Sequence, residues 1–419
     1  MSLGRDPDFR RYWWARSASG AGSVITLVAL PVLVYRLSGS PLATAVASAC
    51  EAAPYMAFGL IAGALADRWD RRRVMVTADV LNAFVVGSVP LAYALGVLTV
   101  AHALVVAVLG PAITVFFDGA NFGALPLLVG RERIAHANAL LASTSNSLET
   151  ILPSVVGVGL AVIAPATMLV VDAASFVVSA LLVAGIGRAL HDVHRARSRL
   201  GVRTLIGEIA DGLRFLRAHA VVRTMTMVGT LQSAAGGGFV ALMVVWCDQV
   251  LGIGTSGLRF GLVYSAWGVG GIVAALALPR ILRRMSPAVV TLRTIPFSAA
   301  FGVGAALAGN WILAALALLG WSMAYMTVAI NSISLRQQVT PEQLLSRVNT
   351  AGRMLSWGVG WTGGAMLGGA LRTVIGIHPA MFALAGLTVI ATAVAWVSPL
   401  RRESAVPSQP TVAQLELVA

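Results

Sequence analysis

The chain has 419 residues, of which 58% are hydrophobic and only 11% charged, and its formal net charge of +13 rests on arginine because the sequence contains no lysine. About a quarter of the residues of a soluble domain are charged, so most of this surface faces something other than water. The missing lysine excludes a P-loop for ATP, a Schiff-base lysine and a lysine nucleophile, and neither HExxH nor GxSxG occurs. Arg10, Arg11 and Arg16 precede the first apolar run, which continues into a full span and reads as a membrane helix rather than a cleavable leader.

A helix needs ~20 apolar residues to cross a bilayer. Runs of that kind fall at 12–35, 42–65, 74–96, 101–128, 138–163, 167–187, 222–248, 257–279, 288–309, 311–335, 343–370 and 376–398. They predict an all-α membrane protein of twelve transmembrane helices. The first two are joined at Ser38-Gly39-Ser40, and the second carries Glu51 about ten residues in. A polar loop follows, Gly63-Ala-Leu-Ala-Asp67-Arg68-Trp-Asp70-Arg71-Arg72-Arg73. Asp79 lies a turn inside the third span and Asp118 towards the end of the fourth. The fifth contains Asn146, Glu149, Gly157 and Gly159, and the sixth has Asp172 near its start.

Residues 188–221 are the long polar stretch of the chain's middle. Leu205, Ile206, Ile209, Leu213 and Leu216 fall on one face of a helix there, and Glu208, Asp211, Arg214 and Arg217 on the other. That pattern predicts an amphipathic helix on the membrane surface. The second set of spans carries Gln232, Trp246, Trp267, Arg293, Trp321, Asn331, Arg353, Trp357 and Trp361. The predicted organisation is therefore an N-terminal six-helix bundle at 1–187, a linker at 188–221, a C-terminal bundle at 222–400 and a tail at 401–419 expected to be disordered.

The arginines alternate between loops. Twenty-five of the thirty fall on the side of the termini and the central linker; Arg36, Arg259 and Arg372 fall on the other, and Arg293 and Arg353 lie within spans. The positive-inside rule then puts both termini in the cytoplasm, with the protein in the inner membrane. A faint repeat joins the halves. His136-Ala-Asn138-Ala matches Arg347-Val-Asn349-Thr, and this register of 211 residues lays Gly157 on Gly368. Parallel repeats of six spans are one carrier architecture, with substrate between the halves at mid-depth.

Charged side chains inside a bilayer cost roughly +2.5 to +3.5 kcal/mol on insertion scales, so each is a candidate for function. Glu51 and Glu149 fall near mid-depth and are the proton-coupling candidates; the competing reading is a fixed ion pair with Arg353, Arg16 or Arg293. Asp118 is expected to pair with an arginine of the 67–73 loop. Gln232, Asn146, Asn331, Trp267, Trp357 and Arg353 are candidates for the wall of a substrate cavity, with helix-to-helix hydrogen bonding as the plainer reading of the amides. Trp246, Trp321 and Trp361 are further aromatic candidates, with ordinary packing as the plainer reading of each of the five tryptophans.

The loop at 63–73 resembles the signature Gly-x-Leu-Ala-Asp-Arg-x-Gly-Arg-Arg of the major facilitator superfamily. Two stretches, Leu27-Val-Ala-Leu-Pro31 through Ser40 and Phe117-Asp118-Gly-Ala-Asn121 through Pro126, are similar to the branch that holds enterobactin exporters and macrolide efflux proteins, as is Glu208-Ile-Ala-Asp-Gly212-Leu-Arg214-Phe in the linker. The resemblance covers residues 9 to about 398. It implies the major facilitator fold as two six-helix pseudo-repeats and alternating access. It also implies a gating role for Gly63, Asp67, Arg68, Arg71, Arg72, Arg73 and Asp118, and export by proton exchange. Two features depart from it: the fourth span lacks the early arginine of many drug–proton antiporters, and the antiport signature of the fifth is reduced to Leu152-Pro153 and Gly157-Val-Gly159.

The leading expectation is a secondary transporter, not an enzyme, exporting a drug, secondary metabolite or siderophore by proton antiport. A lipid or lysolipid translocator of the same fold and a non-transport membrane protein are the alternatives. The expected partners are a small-molecule substrate, protons and the bilayer, for a monomer that binds no nucleic acid, metal or cofactor.

Overall fold

The computed structural model describes residues 3–58, 69–130, 133–190, 202–340, 348 and 351–403. Among them every regular element is helical. The helices start where the sequence supplies caps, since the first N–H groups of a helix need acceptors from outside it. Asp6 caps α1 (Pro7–Ser38), accepting from the N–H groups of Asp8 and Phe9, and Ser40 caps α2 (Pro41–Ala49). Asp70 caps α3 (Arg71–Ala94), placing an acid ahead of three arginines that a helix N-terminus would otherwise disfavour. Thr99 opens α4 (Val100–Val129). Next come α5 (Ile134–Gly159) and α6 (Pro165–Ala184), and then the linker helix α7 (Val202–Ala218).

The second half repeats this plan. It comprises α8 (Ala220–Gln249), α9 (Leu258–Leu282), α10 (Pro287–Leu307) and α11 (Trp311–Val339). A π-helical stretch, Met354–Trp361, runs into α12 (Thr362–Ile375), and α13 (Ile377–Val397) closes the set.

Nine of the described helices are long and apolar enough to cross a membrane: α1, α3, α4, α6, α8, α9, α10, α11 and α13. Of the other three predicted spans two are irregular in backbone and one, the fifth, is a continuous helix of polar composition. The second breaks after α2 in a turn at Cys50, Glu51 and Ala52 before helix resumes over 53–58. Pro54 explains the place, because it has no N–H to return to the carbonyl of Cys50 four residues earlier. The fifth, α5, carries a run of Ser, Thr, Asn and Glu. The eleventh changes pitch from π to α at Thr362.

Contacts follow a two-fold pattern. In the first half α1 packs on α5 and α6, and α3 on α4 and α6; in the second α8 packs on α12 and α13, and α10 on α11 and α13. Two seams join the halves: α5 against α9, and α2 against α12 and α8. These are equivalent under the 211-residue register.

The α5–α9 seam is made of backbone. An added Cβ at Gly261 would lie 2.5 Å from Ser154 Cα and 2.7 Å from the Pro153 carbonyl oxygen. Gly257 adopts φ +92, open only to glycine, and donates its N–H to the Gly157 carbonyl across the seam. Ser154 and Ser265 hydroxyls meet at 2.8 Å. The repeat partner Gly368 instead packs on Gly238 of its own half, and the crossing contact falls one residue later, where Gly369 meets Ala45 and Leu42 of α2.

The end of the bundle remote from the termini is closed. Tyr35 of α1 donates to Asp248 and accepts from Gln249, both at 3.0 Å, and Arg36 donates to Thr255 at 3.2 Å. At the terminal end, Asp8 accepts from the N–H groups of Gly187 and Arg188, and the Arg188 guanidinium pairs with Asp6 at 2.7 Å. The start of α1 is thereby fastened to the end of α6. Leu216 of the linker helix is buried with Val222, Val348 and Ala351 against the second half.

Overpacking a tight contact costs about 1–3 kcal/mol. Gly261→Ala is therefore expected to lower the melting temperature of the detergent-solubilised protein, whereas Gly386→Ala, whose Cβ would meet nothing within 4 Å, leaves it unchanged or raises it. A Gly261→Ala protein as stable as the parent would mean that the seam is not closed as described.

Candidate functional site

Glu51 stands in the turn that breaks the second span, half-buried. It lies within electrostatic reach of Glu149 on α5 and of Tyr264 on α9, and so faces elements of both halves. Glu149 is exposed although helices surround it. The helical turn explains this. Ile151, Val155 and Val158 form the lipid-facing stripe of α5, Leu148 packs on Gly20 of α1, and Thr150, Ser154 and Gly157 pack on α9. At 3.6 residues per turn, Ala142, Asn146 and Glu149 project on the arc between those two contacts, opposite the lipid stripe. All three are exposed, so this arc borders open space inside the ring of helices.

The fixed ion pairs weighed for the two glutamates are not formed. Arg16 goes to Asp118, Arg353 stacks on Tyr55, and Arg293 reaches the sulfur of Met285. Among the described residues no arginine lies within ion-pair distance of Glu51 or Glu149.

Nearer the terminal end is a second polar cluster. Tyr55, one turn beyond Glu51, donates its hydroxyl to Asp118 of α4 at 2.7 Å. Arg16 of α1 lies 3.9 Å from the same carboxylate and 5.1 Å over the Phe117 ring. The Arg353 guanidinium lies 5.9 Å over the Tyr55 ring. Asp118 thus takes its described partners from α1 and the second span rather than from Arg71, Arg72 or Arg73. Those three begin α3, where Arg71 is buried, Arg72 donates to the Arg188 carbonyl at 2.9 Å and Arg73 is exposed. Gly63, Asp67 and Arg68 lie outside the described residues.

The remaining candidates divide. The 211-residue register lays Asn146 on Trp357, and both are exposed. Trp357 stacks on Trp361 with ring centroids 5.4 Å apart and planes 11° from parallel. Trp267 is half-buried against Trp321 and Tyr325, and its carbonyl accepts from Ser322. Gln232 and Asn331 do not line open space. Gln232 is buried and accepts from Ser298 of α10 at 2.5 Å; Asn331 is buried and donates to the Pro287 carbonyl and to Thr291. They tie α8 and α11 to α10, as amides do in apolar surroundings. Trp246 and Trp321 are core residues around Phe239.

Tyr55 is the residue that sequence reasoning missed; its signal is the i, i+4 spacing from Glu51. Asp79 is buried and leaves Oδ2 without a hydrogen-bond partner, while Asp172 accepts from Thr26 and Ser175 and serves the α1–α6 contact.

The sequence model of the transmembrane secretion effectors matches residues 4–417. The multidrug efflux pump Tap of Mycolicibacterium fortuitum is 30% identical over 412 residues, 95% of this chain and 97% of that one. The enterobactin exporter EntS of Citrobacter koseri is 26% identical over 398 residues, 92% of this chain and 90% of that one. Among solved structures, a variant of the nucleoside transporter NupG superposes with a TM-score of 0.75 at 13% identity, covering 92% of this chain and 98% of its own. A bacterial homologue of the iron transporter ferroportin, in an inward-facing state, gives 0.72 at 13% identity, with 97% and 100% covered. These two likenesses concern the fold.

Because Gln232 and Asn331 sit in helix contacts, Gln232→Leu and Asn331→Leu are expected to change thermal stability by about 1–3 kcal/mol while the substrate KM of the folded protein stays at the parent value. A raised KM without a change in melting temperature would return them to the cavity.

Proposed function

The chain belongs to the transmembrane secretion effector family of the major facilitator superfamily, and on that premise we propose that it exports a mid-sized, partly apolar compound by proton antiport. The compound would be a drug, a secondary metabolite or a siderophore. The observation that carries the reading is the pair Glu51 and Glu149, two carboxylates beside the space between the halves that have no arginine within ion-pair distance among the described residues. The sequence has no ATP motif, so energy must come from a downhill ion. Carboxylates within reach of one another in a partly desolvated space are suited to hold and hand on a proton.

The geometry supports alternating access. With the far end shut and the inner arc of α5 exposed, substrate enters from the terminal face, which the arginine bias makes the cytoplasm. Rocking of the halves about the α5–α9 and α2–α12 seams opens the far end. The acids load a proton there and release it to the cytoplasm after substrate has left. The loop at 63–73 and Asp118 keep the gating role that the family resemblance implies. The names of Tap and EntS support outward transport, and the protein acts as a monomer in the cytoplasmic membrane.

Two outcomes test this. Reporters fused at residues 200 and 405 are expected to be reached only from the cytoplasmic side; labelling from outside would invert the scheme. Glu51→Gln and Glu149→Gln, singly and together, are expected to cut pH-driven efflux from proteoliposomes at least tenfold while substrate-for-substrate exchange survives. A double variant that pumps at the parent rate would end the assignment of the proton to these acids.

A further inference from the structure

The wall opposite Glu149 has a different chemistry. In the π-helical stretch, Gly358 meets Met56 of the second span and Gly360 meets Thr230 and Ser233 of α8, while Val359 is exposed on the lipid side. With more residues per turn than an α-helix, the π-helical stretch sets Arg353, at its start, and Trp357 on the arc between the two packed faces, away from Val359. Both are exposed, and Trp357 occupies the position that Asn146 occupies in the first half.

Among the described residues no carboxylate lies within ion-pair distance of Arg353, whose guanidinium lies over the flat face of Tyr55. An arginine within a membrane protein is retained at a cost of several kcal/mol and otherwise finds a partner. The guanidinium presents a planar fork of donors that fits a carboxylate or phenolate in bidentate fashion. One turn along, Trp357 offers a ring already held parallel to Trp361. Pairs of this kind bind flat π-systems, and their order along the helix sets a charged group beside an aromatic plane.

We infer that Arg353 and Trp357 form a subsite for a planar aromatic acid, with the anionic group of the exported compound on the Arg353 guanidinium and its ring on the Trp357 face. This inference rests on the exporter reading and names the substrate class. It also divides the labour of the cavity: the acids of the first half carry the proton, and the basic and aromatic wall of the second carries the substrate. Because Asn146 and Glu149 offer no cation, an anionic compound is turned towards the second half.

The test is equilibrium dialysis of the purified full-length protein in detergent, without a pH gradient, against 2-naphthoate, its neutral amide 2-naphthamide and the cationic 2-naphthylmethylammonium. The parent protein is expected to hold the naphthoate at least tenfold more tightly than the amide or the ammonium. Arg353→Gln should erase that preference, Arg353→Lys should restore part of it, and Trp357→Leu should weaken naphthoate and amide alike. A melting temperature within a few degrees of the parent certifies each variant as folded. Equal binding of acid and amide, a preference for the ammonium, or an unchanged preference in Arg353→Gln overturns the inference. Binding carries no information about coupling. A protein that holds the naphthoate by Arg353 yet fails to pump under a pH gradient would refute the exporter reading alone.

Discussion

The hydrocarbon core of a bilayer offers no hydrogen bonds, so each backbone N–H and C=O that crosses it must be satisfied within its own helix or against protein and trapped water. The rest of this structure follows from that constraint. It makes every described element helical, and it decides where helices are allowed to fail. Both irregular stretches, the turn at Cys50–Ala52 and the π-helical run Met354–Trp361, lie on the seam between the halves, where protein or cavity water can meet the freed groups. The same two places carry Glu51, Tyr55, Arg353 and Trp357. The departures from regular helix and the functional candidates coincide because the interior of the bundle can tolerate both.

The halves differ in what they expose to that interior. The first contributes Glu51 from the second span, and Glu149 and Asn146 on α5, a helix held in place by α1 on one side and α9 on the other. The second contributes an arginine and a stacked pair of indoles. A two-fold repeat would give two equivalent walls, and equivalent positions are indeed used, Asn146 facing as Trp357 does. Divergence in side-chain chemistry on a symmetric frame lets one fold bind two different species on opposite walls.

The broad architecture was legible because lipid imposes it through composition. Apolar runs of the right length and the alternation of arginines need no knowledge of packing. The loop at 63–73 carried the family resemblance through residue types at fixed spacing. What escaped was rotation about each helix axis. A span apolar on all sides, such as α8, gives no hint of which arc meets a neighbour, and so Gln232 stayed a cavity candidate beside the plainer reading, a helix contact, which its bond from Ser298 makes. Trp246 and Trp321 likewise take the plainer of their two readings, as core residues. The inward placing of Glu149 and Asn146 on α5 was readable because that helix is polar on one arc and apolar on the other. The break at Glu51 had a visible cause in Pro54, whereas the π pitch of Met354–Trp361 has no such marker. The partner of Asp118 depended on Tyr55, which is ordinary in composition and significant only through its place one turn beyond Glu51.

The α5–α9 seam has one further consequence. Side chains that interdigitate act as teeth: turning one helix against another forces each to change rotamer and pass its neighbour. Gly157, Gly257 and Gly261 leave main chain riding on main chain, a smooth bearing in which a small rotation trades one close contact for the next with only small hydroxyl side chains, such as Ser154 and Ser265, to exchange. The resistance to motion is then set by how near the two backbones come, and that distance can be tuned a methyl group at a time without touching the walls of the cavity. Speed of switching and choice of cargo thereby become separately adjustable properties of the same molecule.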